Sequence, residues 1–136
     1  MCKARNIAIL TPDPADGTYA TLWPKVLDRL QLALDAAGVE ATPTPWTEHC
    51  DDAQALERFA LVLPLITWGY HTDHARWLRA CATWQRAGTR LANPASVLAW
   101  NSDKRYLATL AGRGVATPPT TWTDGVTASG IQEAFA

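Results

Sequence analysis

The chain has 136 residues, enough for one domain that buries roughly two-thirds of its unfolded surface. Hydrophobic residues make up 48% and charged residues 18%, which excludes a disordered tail, and a net charge of -1 without a basic run excludes an electrostatic footprint for nucleic acid. The three cysteines, Cys2, Cys50 and Cys81, are widely spaced with no Cys-x-x-Cys, so a disulfide framework or a zinc site is not expected, and free thiols suit a reducing, cytoplasmic setting.

The short apolar run that follows Asn6 is too short for a signal peptide, and no stretch approaches membrane length. Ile7-Ala8-Ile9-Leu10 predicts a strand buried on both faces, stopped by Thr11-Pro12-Asp13-Pro14. Over residues 21–37 the period becomes helical: Leu22, Trp23, Val26, Leu27, Leu30, Ala33, Leu34 and Ala37 form one stripe, Pro24 sits in the first turn and Gly38 is the stop. Residues 39–44 predict a second strand. Residues 47–58 are polar with a weak helical period. The apolar run 59–66 predicts the strongest strand, although Pro64 argues against pairing of its last part on both sides. Thr72 or Asp73 would cap a helix reaching Ala87, with Trp77, Leu78, Cys81 and Trp84 on its stripe. A short strand at 90–92, helices at 95–100 and 103–111, and a last strand at 120–123 complete the order.

Strands and helices alternating in this way predict an α/β fold: an open, mostly parallel sheet of four to five strands with helices on both faces. Residues 1–123 would form that domain. Residues 124–136 read as a linker and the beginning of a helix, capped by Thr127 or Ser129.

Several chemistries are excluded or weakened by the motifs. The segment Thr11-Pro12-Asp13-Pro14-Ala15-Asp16-Gly17 stands where a nucleotide fold carries its glycine-rich phosphate turn, yet it has one glycine and two acids, which repel phosphate. No G-x-S-x-G elbow occurs. His71 and His74 share a helical face, but two histidines and Asp73 lack a distant third ligand, so no metal site is expected. The loop 67–74 follows the carboxyl end of a strand, where open α/β sheets bind ligands, and this makes Tyr70, His71 and His74 candidate substrate-binding residues. A loop packed by Trp68 with surface histidines is the plainer reading. Catalytic side chains are not expected.

The most specific stretch is Asn93-Pro94-x3-Leu98-x-Trp100-Asn101-x-Asp103-Lys104-x-Tyr106-Leu107, followed by Leu110-x3-Gly114-Val115-x2-Pro118-Pro119-Thr120. With Thr67-Trp68-Gly69-Tyr70-His71 and Trp77-Leu78 upstream, it resembles the N-terminal, pre-ATP-grasp domain of ATP-grasp ligases. The resemblance is to the glutathione synthetase and ribosomal-protein-S6 modification type, including the O-ureido-serine cyclo-ligase of cycloserine biosynthesis. It implies a Rossmann-like fold and a carboxylate–amine ligase that uses ATP and Mg2+. Lys104 would then reach an ATP phosphate, and the loops 11–18 and 68–74 would help form the acceptor-substrate site. The ATP-grasp fold proper would follow Trp122. The chain is therefore expected to be a fragment that is inactive alone and holds no cofactor tightly. Its partners would be a small-molecule carboxylate or amine and the missing C-terminal ATP-grasp domain, with no nucleic acid and no membrane, and a homodimer would suit the exposed Trp and Phe135. The rival reading is a stand-alone, non-catalytic binding or protein-interaction module.

Overall fold

The computed structural model describes residues 5–123 and 127–134. The chain divides into two compact units, Met1–Asp103 and Lys104–Ala136.

The first unit is built on a three-stranded parallel sheet in the order β2-β1-β3, with β1 at Arg5–Thr11, β2 at Val39–Pro45 and β3 at Leu61–Leu63. Helix α1, Trp23–Ala36, links β1 to β2. Helix α2, His74–Arg86, follows β3, and α3, Ala95–Asn101, follows α2. The sheet has three strands where the sequence predicts four or five. The residues 90–92 do lie alongside β3: the Val62 amide donates to Arg90 O at 2.7 Å and the Ala92 amide to Val62 O at 3.0 Å. This pairing amounts to one bridge, Val62 to Leu91, and not to a strand.

Two further differences have local causes. The run 59–66 shortens to three paired residues because Pro64 has no amide to offer the ladder. The chain turns there, and the Leu65 amide donates to Leu63 O at 3.0 Å. Pro43 and Pro45, by contrast, are tolerated within β2 because it is an edge strand. The polar stretch 47–58 resolves into two single 3-10 turns, Trp46–His49 and Gln54–Leu56.

Alternation along β1 sends successive side chains to opposite faces. Ile7 and Ile9 pack with Leu27 of α1, Ala41 and Ile66. Ala8 and Leu10 pack with Trp77, Ala80, Cys81 and Trp84 of α2, with Ala95 and Leu98 of α3, and with Trp46, Cys50, Leu56, Phe59 and Val62. Helices thus cover both faces. Among the described residues no helix is long and apolar enough to cross a membrane.

The second unit contains α4, Tyr106–Gly112, and α5, Ala128–Ala134. The expected strand at 120–123 does not form: residues 115–123 carry no regular secondary structure. Thr127 caps α5, its Oγ1 accepting from the Gly130 amide at 3.1 Å. Part of the expected linker, 124–126, lies outside the described residues, as does Phe135.

Candidate functional site

Because β1 leads to β2 on one side while β3 leads to residues 90–92 on the other, the order in which the parallel strands are laid down reverses between β1 and β3. In open α/β sheets ligands bind in the crevice beyond the carboxyl ends of the strands at such a switch point. A cleft of about 290 Å3 opens at that place. Asp13 and Asp16 line it from the loop after β1, Trp46 and Thr47 from the end of β2, Trp68 and Gly69 from the loop after β3, and Asp73 and Arg76 from the first turn of α2.

Each wall is held by its own short-range bonds. Asp13 accepts from the Ala15 amide at 2.9 Å through Oδ1 and from Thr47 Oγ1 at 3.1 Å through Oδ2, so one carboxylate both closes its own turn and ties it to the end of β2. Asp16 accepts from the Thr18 amide at 2.9 Å. Hydrogen bonds from Thr18, side chain first and then backbone, hold the Asp16 carboxyl below the usual carboxylate range, with the charge of His71 a smaller contribution. Gly69 adopts φ +87°, open to glycine at no steric cost, and a Cβ there would stand 3.0 Å from Asp16 Oδ2. That glycine therefore lets the loops after β1 and β3 close on each other.

One cation, Arg76, lines the cleft beside these acids. Arg76 donates from Nη2 to Thr47 O at 2.8 Å, and its guanidinium carbon lies 5.9 Å from the centre of the Trp46 ring. Among the described residues it has no ion pair with a carboxylate; the ion pair of this unit, Arg79 with Asp51 at 3.7 Å, is exposed. Asp73 caps α2 by accepting from the Arg76 amide at 3.0 Å, which fixes the turn that carries the guanidinium. Beneath the cleft the indoles stack edge to face, Trp46 on Trp77 at 5.3 Å and Trp77 on Trp84 at 5.5 Å. Trp46 Nε1 donates to Trp68 O at 3.4 Å and Trp84 Nε1 to His49 O at 2.9 Å. The arrangement is a small recess lined by three carboxylates, Asp13, Asp16 and Asp73, and one anchored guanidinium, with Trp46 and Trp68 among its walls.

The residues singled out in the sequence fall in three places. Tyr70 and His71 line a neighbouring recess of about 350 Å3 with Tyr19, Leu22, Trp68 and Gly69. There Tyr19 meets Trp68 at 5.5 Å and His71 at 6.5 Å, and Tyr70 leans on Trp77 at 5.2 Å. His74 lines neither recess; its Nε2 lies 2.8 Å from Ser102 Oγ. Lys104 opens the second unit, where it is exposed in the turn before α4, its Nζ 5.7 Å from the centre of the Tyr106 ring. Among the described residues no group of three or more His, Cys, Asp or Glu gathers as a metal site would need. Arg76, Trp46 and Thr47 escaped the sequence reading, although a Trp directly after the prolines that end a strand was a usable signal.

A family model for the N-terminal domain of the D-cycloserine synthetase DcsG matches residues 7–93. The chain belongs to that family. No curated protein and no solved structure matches it. The match to the DcsG N-terminal domain takes in β2, β3, all of β1 but its first two residues and every residue that lines the cleft, and it ends before the segment that carries Lys104.

Proposed function

We propose that this chain is the substrate-side N-terminal domain of an ATP-dependent carboxylate–amine ligase of the ATP-grasp type, and that the cleft between Asp13, Asp16 and Arg76 receives the small-molecule substrate. The observation that carries this reading is a coincidence of place: the segment shared with the DcsG N-terminal domain contains the switch-point cleft entire. The chemistry of the cleft suits a ligand carrying both charges, with an ammonium facing the Asp13 and Asp16 carboxylates and a carboxylate facing Arg76, where a guanidinium offers paired donors.

The same carboxylates argue against ATP in this cleft. A triphosphate would meet Asp13 and Asp16 in a turn with a single glycine, and such a turn offers no nest of amides. Lys104, an exposed cation, is the residue that the family resemblance assigns to a phosphate. Bound ATP with Mg2+ would supply the activation of a carboxylate as an acyl phosphate. The part left to the first unit is binding and orientation: Arg76 holds the anionic group, the acidic wall holds the cationic one, and the indole floor excludes water from one side. The nucleotide-binding domain would come from outside these 136 residues.

The test is a chemical-shift titration of this chain with serine, ethanolamine and glycolate. Serine should move the Trp46 and Trp68 indole signals and the Arg76 guanidinium, and the two single-charge analogues should bind at least about tenfold more weakly, as expected when one of two charge-assisted contacts is lost. Arg76→Ala should remove the response, and Lys104→Ala should leave it unchanged. Serine shifts that map away from the cleft, or that survive Arg76→Ala, would sink the reading and favour an interaction module.

A further inference from the structure

The contact between His74 and Ser102 has a definite direction. Ser102 Oγ donates its one proton to Ala99 O at 2.7 Å. Towards His74, 2.8 Å away, the hydroxyl has only lone pairs to offer, so the imidazole must carry its proton on Nε2 and donate it. This gives His74 a role other than substrate binding, since the nitrogen facing Ser102 is already committed.

The two ends of this bond matter. His74 is the first residue of α2, immediately after Asp73, whose carboxylate caps the helix and whose turn carries Arg76 into the cleft. Ser102 closes α3, a helix of seven residues with no side-chain hydrogen bond at its amino end. A helix so short is not stable by itself and takes its order from what it packs on. Its buried residues, Ala95 and Leu98, dock it along α2 by its first turns. The bond from His74 secures its last turn. Beyond Ser102 only Asp103 remains in the first unit before Lys104 opens the second.

We propose that His74 is a positioning residue: by donating from Nε2 to Ser102 Oγ it couples the turn that forms the cleft rim, Asp73 to Arg76, to the end of α3 from which the chain runs on to Lys104. The reading of the cleft as a substrate site enters only in naming what is coupled. The pin itself would bring any disturbance of the α2 amino end to residues 100–103, and would leave that segment indifferent to the rim once the imidazole is removed.

Amide hydrogen exchange on this chain tests the coupling without any ligand, with the Ile7–Leu10 amides of β1 as the reference for global opening. His74→Leu and Ser102→Ala should each speed exchange at residues 100–104 by about fivefold relative to that reference, the loss of one hydrogen bond of ordinary net strength. His74→Gln, whose side-chain amide also donates, should restore most of the protection. Asp73→Ala, which removes the cap, should speed exchange at 100–104 when His74 is present and add nothing in the His74→Leu background. Nitrogen-15 spectra of labelled histidine should show His74 protonated on Nε2. Unchanged exchange in His74→Leu, an additive effect of Asp73→Ala, or a proton found on Nδ1 with Nε2 bare would each overturn the proposal. A failed serine titration would overturn the substrate reading and leave this result standing.

Discussion

The two faces of the sheet differ in what covers them. On the α1 face the cover is thinner: Leu27 is the one buried residue of α1, Trp23, Leu30 and Leu34 are only partly buried against the sheet, and Leu32 on the same helix is 71% exposed. On the α2 face five helix residues are buried, two of them tryptophans, and Trp46 joins them from the end of β2. The candidate cleft opens over the second face. The proposed binding of a doubly charged ligand would need walls that do not shift, and edge-to-face indoles pack rigidly with few rotatable bonds. The thick face thus supplies most of the support beneath the cleft, and the thin face contributes to its lining through Trp68.

The largest expected effect breaks this comparison directly. Trp84 is fully buried at the bottom of the indole stack, and Trp84→Ala should cost about 4 kcal/mol, whereas Leu27→Ala on the other face should cost about 2 kcal/mol, near the lower end for such truncations because its surroundings are half exposed. Urea unfolding of both variants measures the difference. Equal losses would mean that the two faces contribute alike. The indoles themselves are not equivalent. Trp84 Nε1 donates to His49 O, whereas Trp77 Nε1 is buried with no partner among the described residues. Replacement by Phe should therefore cost about 1 kcal/mol more at 84 than at 77, since only the first substitution strands a carbonyl.

A smaller effect tests how the cleft closes. Gly69→Ala places a methyl 3.0 Å from Asp16 Oδ2 at a backbone angle of +87°. The expected cost is about 1–2 kcal/mol from the left-handed conformation alone. The Asp16 carboxylate must also move, so serine binding should weaken by more than the loss of stability explains. Binding that survives unchanged would place the substrate elsewhere than between these two loops.

Much of the architecture was legible along the chain because it rests on local pattern. The apolar run at 7–10, the helical stripe to Gly38 and the Asp73 cap each announce an element that forms where expected. The sheet was overcounted where pairing, not propensity, decides. Residues 90–92 meet β3 at a single bridge, and residues 120–123 pair with nothing. The site was half legible. The loop after β3 was expected to face the ligand because topology puts it there, and the loop after β1 because the family resemblance implies it. Arg76 was not, since its position depends on a carbonyl at Thr47, far away in sequence, and on the face of Trp46. For His74, the place of its loop after a strand pointed to substrate, and packing adds what no spacing announces, a contact of 2.8 Å between its Nε2 and Ser102 Oγ.

The smallest effect sharpens the contrast through pH. Burial pushes the His49 imidazole below its ordinary value of 6.5, because desolvation disfavours the charged ring more than Glu48 and Asp52 favour it. In the window between that lowered folded value and 6.5, the unfolded chain binds more protons than the folded one. Stability therefore rises with pH across the window, is fully present above it, and is progressively lost as pH falls through it. His49 belongs to the thick face, where its carbonyl receives Trp84, and no histidine lies in the cluster under α1. Melting temperatures taken from about pH 7.5 to about pH 5.5, above the range where carboxylates dominate, should fall for the native chain. They should fall less for His49→Gln, which keeps the carbonyl and removes the titrating ring. A slope that persists in full in that variant would show that the His49 ring is not the source of the pH sensitivity, and the core beneath the cleft would then not be where it resides.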